Sequence, residues 1–353
     1  MNYNLVKKEI HFLIKEPISY LGILLMISIV VINLKPYWNF YNNTREPGMS
    51  VEYSFDGDIE SGYIPTPADE LHDISLQKLK NFFIHDMELS EEDAEAEVKK
   101  MREMKVDDIA KYMEQKYAIK GIQNMFEENK YKHASFEEMQ KYLQTSFSNK
   151  TYTESFAYKY SDFLSIGSIL FTIIIVALVL ARDMKKDIYS LLHTKPMRGY
   201  TYILSKLFAG ISFVFLNIII LTVVMSYIAV STGIRYGFNS NAVDIWRSIV
   251  FFNFPNVILT GCLIMFITVL FTTILPSIPA LLLYFIYSNM GTMNINNGYS
   301  YQLKPLSLLI RFPGEFAKLS MPDGALQNQL LIFLLIIIVT YGNIKIWNRK
   351  RNV

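Results

Sequence analysis

Five histidines, His11, His72, His85, His133 and His193, are the side chains best suited to proton transfer or metal binding near neutral pH. They are scattered along the chain. No H-E-x-x-H pair places two of them on one helix face, no G-x-S-x-G elbow supplies a nucleophile, and His72 and His85 read as surface residues of a helix. No stretch matches G-x-x-x-x-G-K-[ST], so the chain lacks the backbone cradle with which a P-loop protein holds ATP. The single cysteine, Cys262, lies inside an apolar run; it excludes an intrachain disulfide and a cysteine metal site and reads as a small packing residue. Catalysis, a metal and a bound cofactor are therefore not expected of this chain. What remains is recognition, and its densest candidate is residues 182–206, RDMKKDIYSLLHTKPMRGYTYILSK. Six bases (Arg182, Lys185, Lys186, Lys195, Arg198, Lys206) face two acids (Asp183, Asp187) there. Ile188, Leu191 and Leu192 give it the pattern of a short amphipathic helix, stopped at Pro196, which has no amide to donate.

The elements that position this loop are long apolar runs. They fall at 18–34, 163–181, 207–230, 249–275, 278–288 and 330–342, whereas 35–161 is dense in charge. A bilayer crossing takes about 20 helical residues, so the chain reads as a polytopic membrane protein with one large hydrophilic insert. The net charge of +2 conceals a separation: residues 36–161 carry 15 basic and 24 acidic side chains, a balance of −9, and the remainder carries +11. A Lys- and Arg-rich loop between two spans belongs in the cytoplasm, which fixes the expected orientation. The spans hold essentially no ionisable residue near their centres, which disfavours an ion-driven carrier.

In chain order, residues 1–16 read as an interfacial helix, with Lys7, Lys8, His11 and Lys15 on one face and Val6, Ile10, Leu13 and Ile14 on another. A first span at 17–34 is retained, since no small-residue cleavage site follows it. An extracellular domain occupies 36–161, irregular at first and helical from about Ala68, with capping-box starts at Ser90/Asp93 and Ser135/Glu138. Further spans are expected at 162–181, 207–230, 248–275, 276–290 (short or re-entrant) and 327–347, with an extracellular segment at 291–326 that includes a short helix at 306–312, and a cytoplasmic tail at 348–353. Aromatics in the spans do not single out a substrate path. The abundance of Ile, Lys, Asn and Tyr suggests an AT-rich bacterial genome, hence a bacterial plasma membrane.

Asp183, Asp187 four places on, the run Leu191, Leu192, Thr194 and Pro196, and then Tyr202, Leu204, Lys206 and Leu207 together resemble a known loop. It lies between the second and third spans of ABC exporter permeases of the type-2 superfamily. That family shows an acid, a Gly four positions on, Leu-Leu-x-Thr/Ser-x-Pro, then Arg, Tyr and Lys; here Asp183 replaces the usual Glu, Asp187 the Gly, and Arg198 falls one place early. The resemblance implies an all-α polytopic membrane protein with six transmembrane helices and a mainly α-helical extracellular domain. It implies a permease subunit that exports an amphipathic peptide, drug or lipid-like substrate, pairs with a second six-span chain, and is driven by cytoplasmic ABC ATPase subunits that carry the ATP and Mg. Asp183, Lys186, Asp187, Leu191, Leu192, Thr194 and Pro196 would then couple to the ATPase. A nucleic-acid partner is not expected. The alternative is a non-transporting receptor or immunity protein whose outer domain binds a ligand.

Overall fold

The computed structural model describes residues 1–194, 197–290, 292–294 and 298–351. Two helices open the chain: α1 (Tyr3–Lys15), N-capped by the Asn2 side chain, and α2 (Pro17–Trp38), apolar and without a polar face. A region of mixed elements follows: β1 (Tyr53–Ser54), β2 (Tyr63–Pro65), α3 (Ala68–His85), α4 (Glu91–Met101), α5 (Val106–Tyr117), α6 (Ile122–Glu127), β3 (Tyr131–His133) and α7 (Phe136–Ser146). Then come α8 (Tyr152–Ala181), α9 (Lys186–Thr194), α10 (Gly199–Arg235), α11 (Ala242–Ser248), α12 (Phe254–Phe271), α13 (Ser277–Asn289), a strand pair β4 (Thr292–Asn294) and β5 (Gly298–Ser300), and α14 (Ala325–Arg351). The chain divides into two compact units, 39–146 and the remainder.

The unit at 39–146 packs α3 to α6 around Leu79, Phe83, Met101, Ile109, Met113 and Phe126. The apolar periodicity from Ile109 to Phe126 does not form one helix. Ala118 and Gly121 adopt left-handed backbone angles and separate α5 from α6, and a left-handed residue at the end of a helix satisfies its last carbonyls. The expected start signals are realised: Asp93 N donates to Ser90 Oγ (3.2 Å), and Ser135 and Glu138 bond reciprocally (3.3 and 2.9 Å). Missing from the sequence reading was a sheet, in which β3 pairs antiparallel with β1 and β2. Lys132, on its central strand, is buried between Glu70 (2.7 Å) and Glu138 (2.9 Å).

On α4, burial would raise the Glu97 carboxyl, but hydrogen bonds from Lys100, Lys116 and Tyr112 outweigh it and hold Glu97 at about 2, from the usual 4.5. A depressed carboxylate stabilises the folded unit fully above the unfolded value, and that contribution is lost as pH falls from about 4.5 through 2. Hydrogen exchange in α4 and α5, corrected for intrinsic rate, is expected to accelerate over that window in the native protein and to change less in Glu97→Gln. Equal pH dependence of the two would refute the assignment.

In the other unit, α8 is the central helix. It runs antiparallel to α2, since Gly22 faces Phe171 and Gly167 faces Met26, and antiparallel to α10, where Tyr160 meets Thr222 (3.0 Å) and Val176 meets Gly210. It runs parallel to the α11–α12 rod, as Ala157 O accepts from Ser248 Oγ and Ser161 bonds Asn253. α14 runs parallel to α12 in turn: Cys262 meets Thr340, Asn343 Nδ2 donates to Cys262 O (3.1 Å) and Lys350 Nζ to Leu270 O (2.8 Å). Five of these rods, Pro17–Trp38, Tyr152–Ala181, Gly199–Arg235, Ala242–Phe271 and Ala325–Lys350, are long and apolar enough to cross a membrane; α13, with 13 residues, is shorter. The close approach of α2 to α8 depends on glycine, because a Cβ on Gly167 would stand 3.1–3.2 Å from the Met26 side chain and backbone. Gly167→Leu is expected to push α2 away and cost about 1–3 kcal/mol, read as a lowered melting temperature in detergent.

The helices extend past the apolar runs that announce them. α10 begins at Gly199 rather than 207, α8 at Tyr152 rather than 162, and 242–247 is helical rather than an outer loop. Hydropathy stops at the first charge, whereas a helix continues wherever its polar side chains find partners. Pro255 explains the joint between α11 and α12. Its missing amide frees a carbonyl of the preceding turn, and Ile249–Asn253 relax into a π-turn in which Phe254 N reaches Ile249 O. Asn253 there accepts from Ser161 Oγ (2.6 Å) and donates to Ser165 Oγ (2.8 Å).

Residues 306–312 are not a helix. Pro305 and Pro313 bracket too short a stretch and bias the residues before them to extended backbone. Side chains instead satisfy this buried segment: Ser307 N and O bond Asn328 (3.0 and 2.9 Å), Leu308 N donates to Ser288 Oγ (3.0 Å), and Asn256 Nδ2 donates to Leu308 O (2.9 Å). The segment before α14 contains a 3₁₀ turn, Phe316–Lys318, in place of the expected helices.

Candidate docking face

At the end of the bundle where α8 finishes and α10 begins, two amphipathic helices, α1 and α9, pack against the rods. On α1 the buried stripe is Val6, Glu9 and Leu13, whereas Lys7, Lys8, His11 and Lys15 are exposed; Ile14, expected on the apolar face, is also exposed. A carboxylate in a buried stripe requires partners. Glu9 has two, Arg182 Nη2 at 2.5 Å and Lys206 Nζ at 2.9 Å. Lys206, only 2% exposed, also contacts Asp183 Oδ2 at 2.5 Å, and Tyr202 Oη donates to the same oxygen at 2.7 Å. Arg182 lies 3.8 Å over the Phe12 ring. Two acids and two bases thus close a charge-balanced network that ties α1, the end of α8 and the start of α10 together. Asn2 N donates to Ser205 Oγ (2.8 Å) and adds a backbone tie.

α9 rests on an aromatic support beside this network. The Trp347 ring of α14 stacks on Tyr202 (3.9 Å, 16°) and meets His193 (4.4 Å) and Tyr189 (5.9 Å, edge-on). His193 Nδ1 contacts Tyr189 O at 2.8 Å, and Leu192 packs against the same core. Gly199 makes the fit possible, since a Cβ there would stand 2.2 Å from Asn348 Oδ1 and 2.9 Å from the Trp347 ring. Burial raises the Tyr189 hydroxyl above its usual value, so it stays neutral and suits the aromatic contact.

The opposite surface of α9 is open. Leu191 is 58% and Ile188 40% exposed, with Lys186, Asp187 and Thr194 exposed around them. The two leucines therefore separate: Leu191 faces outward and Leu192 inward. Asp183 is not at this surface but buried on Lys206, and Pro196 lies outside the described residues. Sequence reasoning missed Glu9, Tyr189, His193 and Trp347. One signal was present, the 6–9–13 spacing that puts Glu9 in register with Val6 and Leu13. Among the described residues no cluster of His, Cys, Asp and Glu is arranged to hold a metal.

This arrangement defines a multi-pass helical membrane protein with a surface helix clamped to one end of its bundle. No family model, curated protein or solved structure matches the chain.

Proposed function

We propose that the chain is the permease subunit of an ATP-driven exporter of the ABC type-2 kind, with α9 as the seat of a separate ATPase subunit. The observation that carries this reading is the two-sided character of α9. Its outer side offers Ile188 and Leu191 within a charged rim, the pattern of a helix that docks in a partner's groove. Its inner side is fixed through Trp347 and Tyr202 to α14 and α10, so displacement of α9 is passed to two rods at once.

Six crossings are supported by the parallel run of α12 and α14, which requires the chain to return between them. α13 covers about 20 Å of that return at 1.5 Å per residue, and the segment at 306–312 accompanies it with its backbone satisfied by protein, as membrane depth demands. The end that carries α1, α9 and the tail holds Lys7, Lys8, Lys15, Arg182, Lys185, Lys186, Arg349 and Lys350. That favours a cytoplasmic position for it, with 39–146 extracellular and the whole in a bacterial plasma membrane. ATP and Mg would be held by the partner, and a second six-span chain, identical or not, would complete the permease. Differential affinity of the ATPase for two bundle states supplies the work.

The test is co-purification in mild detergent with a vanadate-sensitive ATPase assay. The native chain is expected to bring down a nucleotide-binding subunit, and Ile188→Asp with Leu191→Asp to lose it while remaining inserted and monodisperse. A stable chain with no ATPase partner would reject the exporter reading and favour a receptor role for the acidic domain, which has a core of its own.

A further inference from the structure

The end of the bundle where α8 begins carries a cleft of about 410 Å³ between α8, the α11–α12 rod and the start of α14. This is within the usual range for small-ligand pockets, about 300–1,000 Å³. Its lining is graded. Glu154, Asp244 and Arg247 lie nearer the helix starts, Phe251 and Phe252 deeper along the rod, and Tyr158 between them, with Leu326 of α14 also in the lining. The gradient runs along the helix axes toward the apolar runs. The apolar run of α8 starts at 163, which places Glu154 about 14 Å and Tyr158 about 8 Å above it, and Asp244 and Arg247 precede the apolar run at 249 by about 8 and 3 Å. The cleft therefore straddles the boundary at which a lipid changes from headgroup to acyl chain.

The charges are not interchangeable. Asp244 is engaged by the Thr151 and Thr153 hydroxyls at 2.6 and 2.7 Å and sits in the first turn of α11. Glu154 accepts a long bond from Tyr158 Oη (3.3 Å) and feels the charge of Lys150, whose ammonium lies 5.4 Å over the Tyr158 ring, but neither Glu154 nor Arg247 forms a salt bridge among the described residues. One carboxylate and one guanidinium, neither held in an ion pair among the described residues, thus stand beside an aromatic slot. Behind the slot the Phe312 ring stacks on Tyr158 (4.6 Å) and meets Phe252 edge-on (5.2 Å). Asp162 and Arg311 pair next to it and hold the wall in place.

We propose that this cleft binds one zwitterionic phospholipid, with Arg247 on the phosphate, Glu154 on the primary ammonium, and the upper acyl chain along Phe251 and Phe252. A guanidinium fork matches phosphate oxygens, and a carboxylate at the headgroup level accepts from an ammonium. The site depends on the chain spanning a membrane and not on the ATPase reading; within that reading it is where a lipid-like substrate would rest.

Native mass spectrometry of the purified full chain with equal amounts of phosphatidylethanolamine and phosphatidylglycerol of matched acyl chains tests it. One phosphatidylethanolamine is expected to be retained at least fivefold over phosphatidylglycerol. Glu154→Gln and Arg247→Gln should each abolish that preference, and Arg247→Lys should keep part of it. Equal retention of the two lipids, a preference for phosphatidylglycerol, or a preference unchanged in both variants would overturn the proposal. Should the variants fail to fold, a phosphatidylethanolamine with a photoreactive acyl chain reports on the unmodified protein. Labelling centred on 251–252 supports the site, and labelling elsewhere rejects it. An amphipathic basic peptide that takes the cleft in place of either lipid also rejects it. None of these readouts needs ATP, so they stand or fall apart from the exporter test.

Discussion

Lys206→Met is expected to destabilise the bundle by about 3–5 kcal/mol, the usual cost of removing one partner from a buried ion pair. Lys206 serves both Glu9 and Asp183, at 2.9 and 2.5 Å, and both carboxylates are buried. Without it Asp183 keeps only the Tyr202 hydroxyl, and Glu9 keeps Arg182, which is 41% exposed and more easily hydrated. Removing the acids as well, as Glu9→Gln, Asp183→Asn and Lys206→Met together, should recover most of the loss, because a neutral set of similar shape has no orphaned charge to hold. Equilibrium unfolding in detergent measures both variants. If the single variant lay within 1 kcal/mol of the native protein, or the triple fell further than the single, the network would not be what joins α1 to the bundle.

Trp347→Ala is expected to cost about 3–5 kcal/mol, typical of a large buried aromatic, and to release α9 in particular. The Trp347 side chain, fully buried, is the common neighbour of Tyr202, His193 and Tyr189 and so the shared support of the inner side of α9. Limited proteolysis should cut within 185–198 in the variant well before the native protein is cut there. Trp347→Phe, which keeps a ring to stack, should be intermediate. Cleavage rates that match the native protein in the alanine variant would mean that α9 is held by something other than this stack.

Much of the architecture was legible because bilayer spans announce themselves by length and apolarity. Each of the five rods long enough to cross a membrane overlaps an apolar run of the sequence and most reach beyond it, and α13 matches the short run at 278–288. Local signals at Ser90 and Ser135 were equally readable, since a capping box is a matter of a few adjacent residues. What escaped were features set by distant partners. Glu9 and Lys206 are nearly 200 positions apart, and a hydropathy reading treats each as a surface charge. Likewise Leu191 and Leu192 are equivalent by composition, and the distant core that includes Trp347 and Tyr202 decides which one is covered. The sheet at 53–133 was missed because its strands are two or three residues long, below the length at which alternation can be seen.

The support of α9 also sets an order of events during synthesis. Tyr189 and His193 leave the ribosome about 150 residues before Trp347, an interval of roughly 8–30 s at ~5–20 residues per second. For that time α9 has no inner wall, and its apolar side is exposed at the membrane surface. A chain that has not yet reached Trp347 therefore carries α9 without its aromatic support, and a segment made late is what secures one made much earlier.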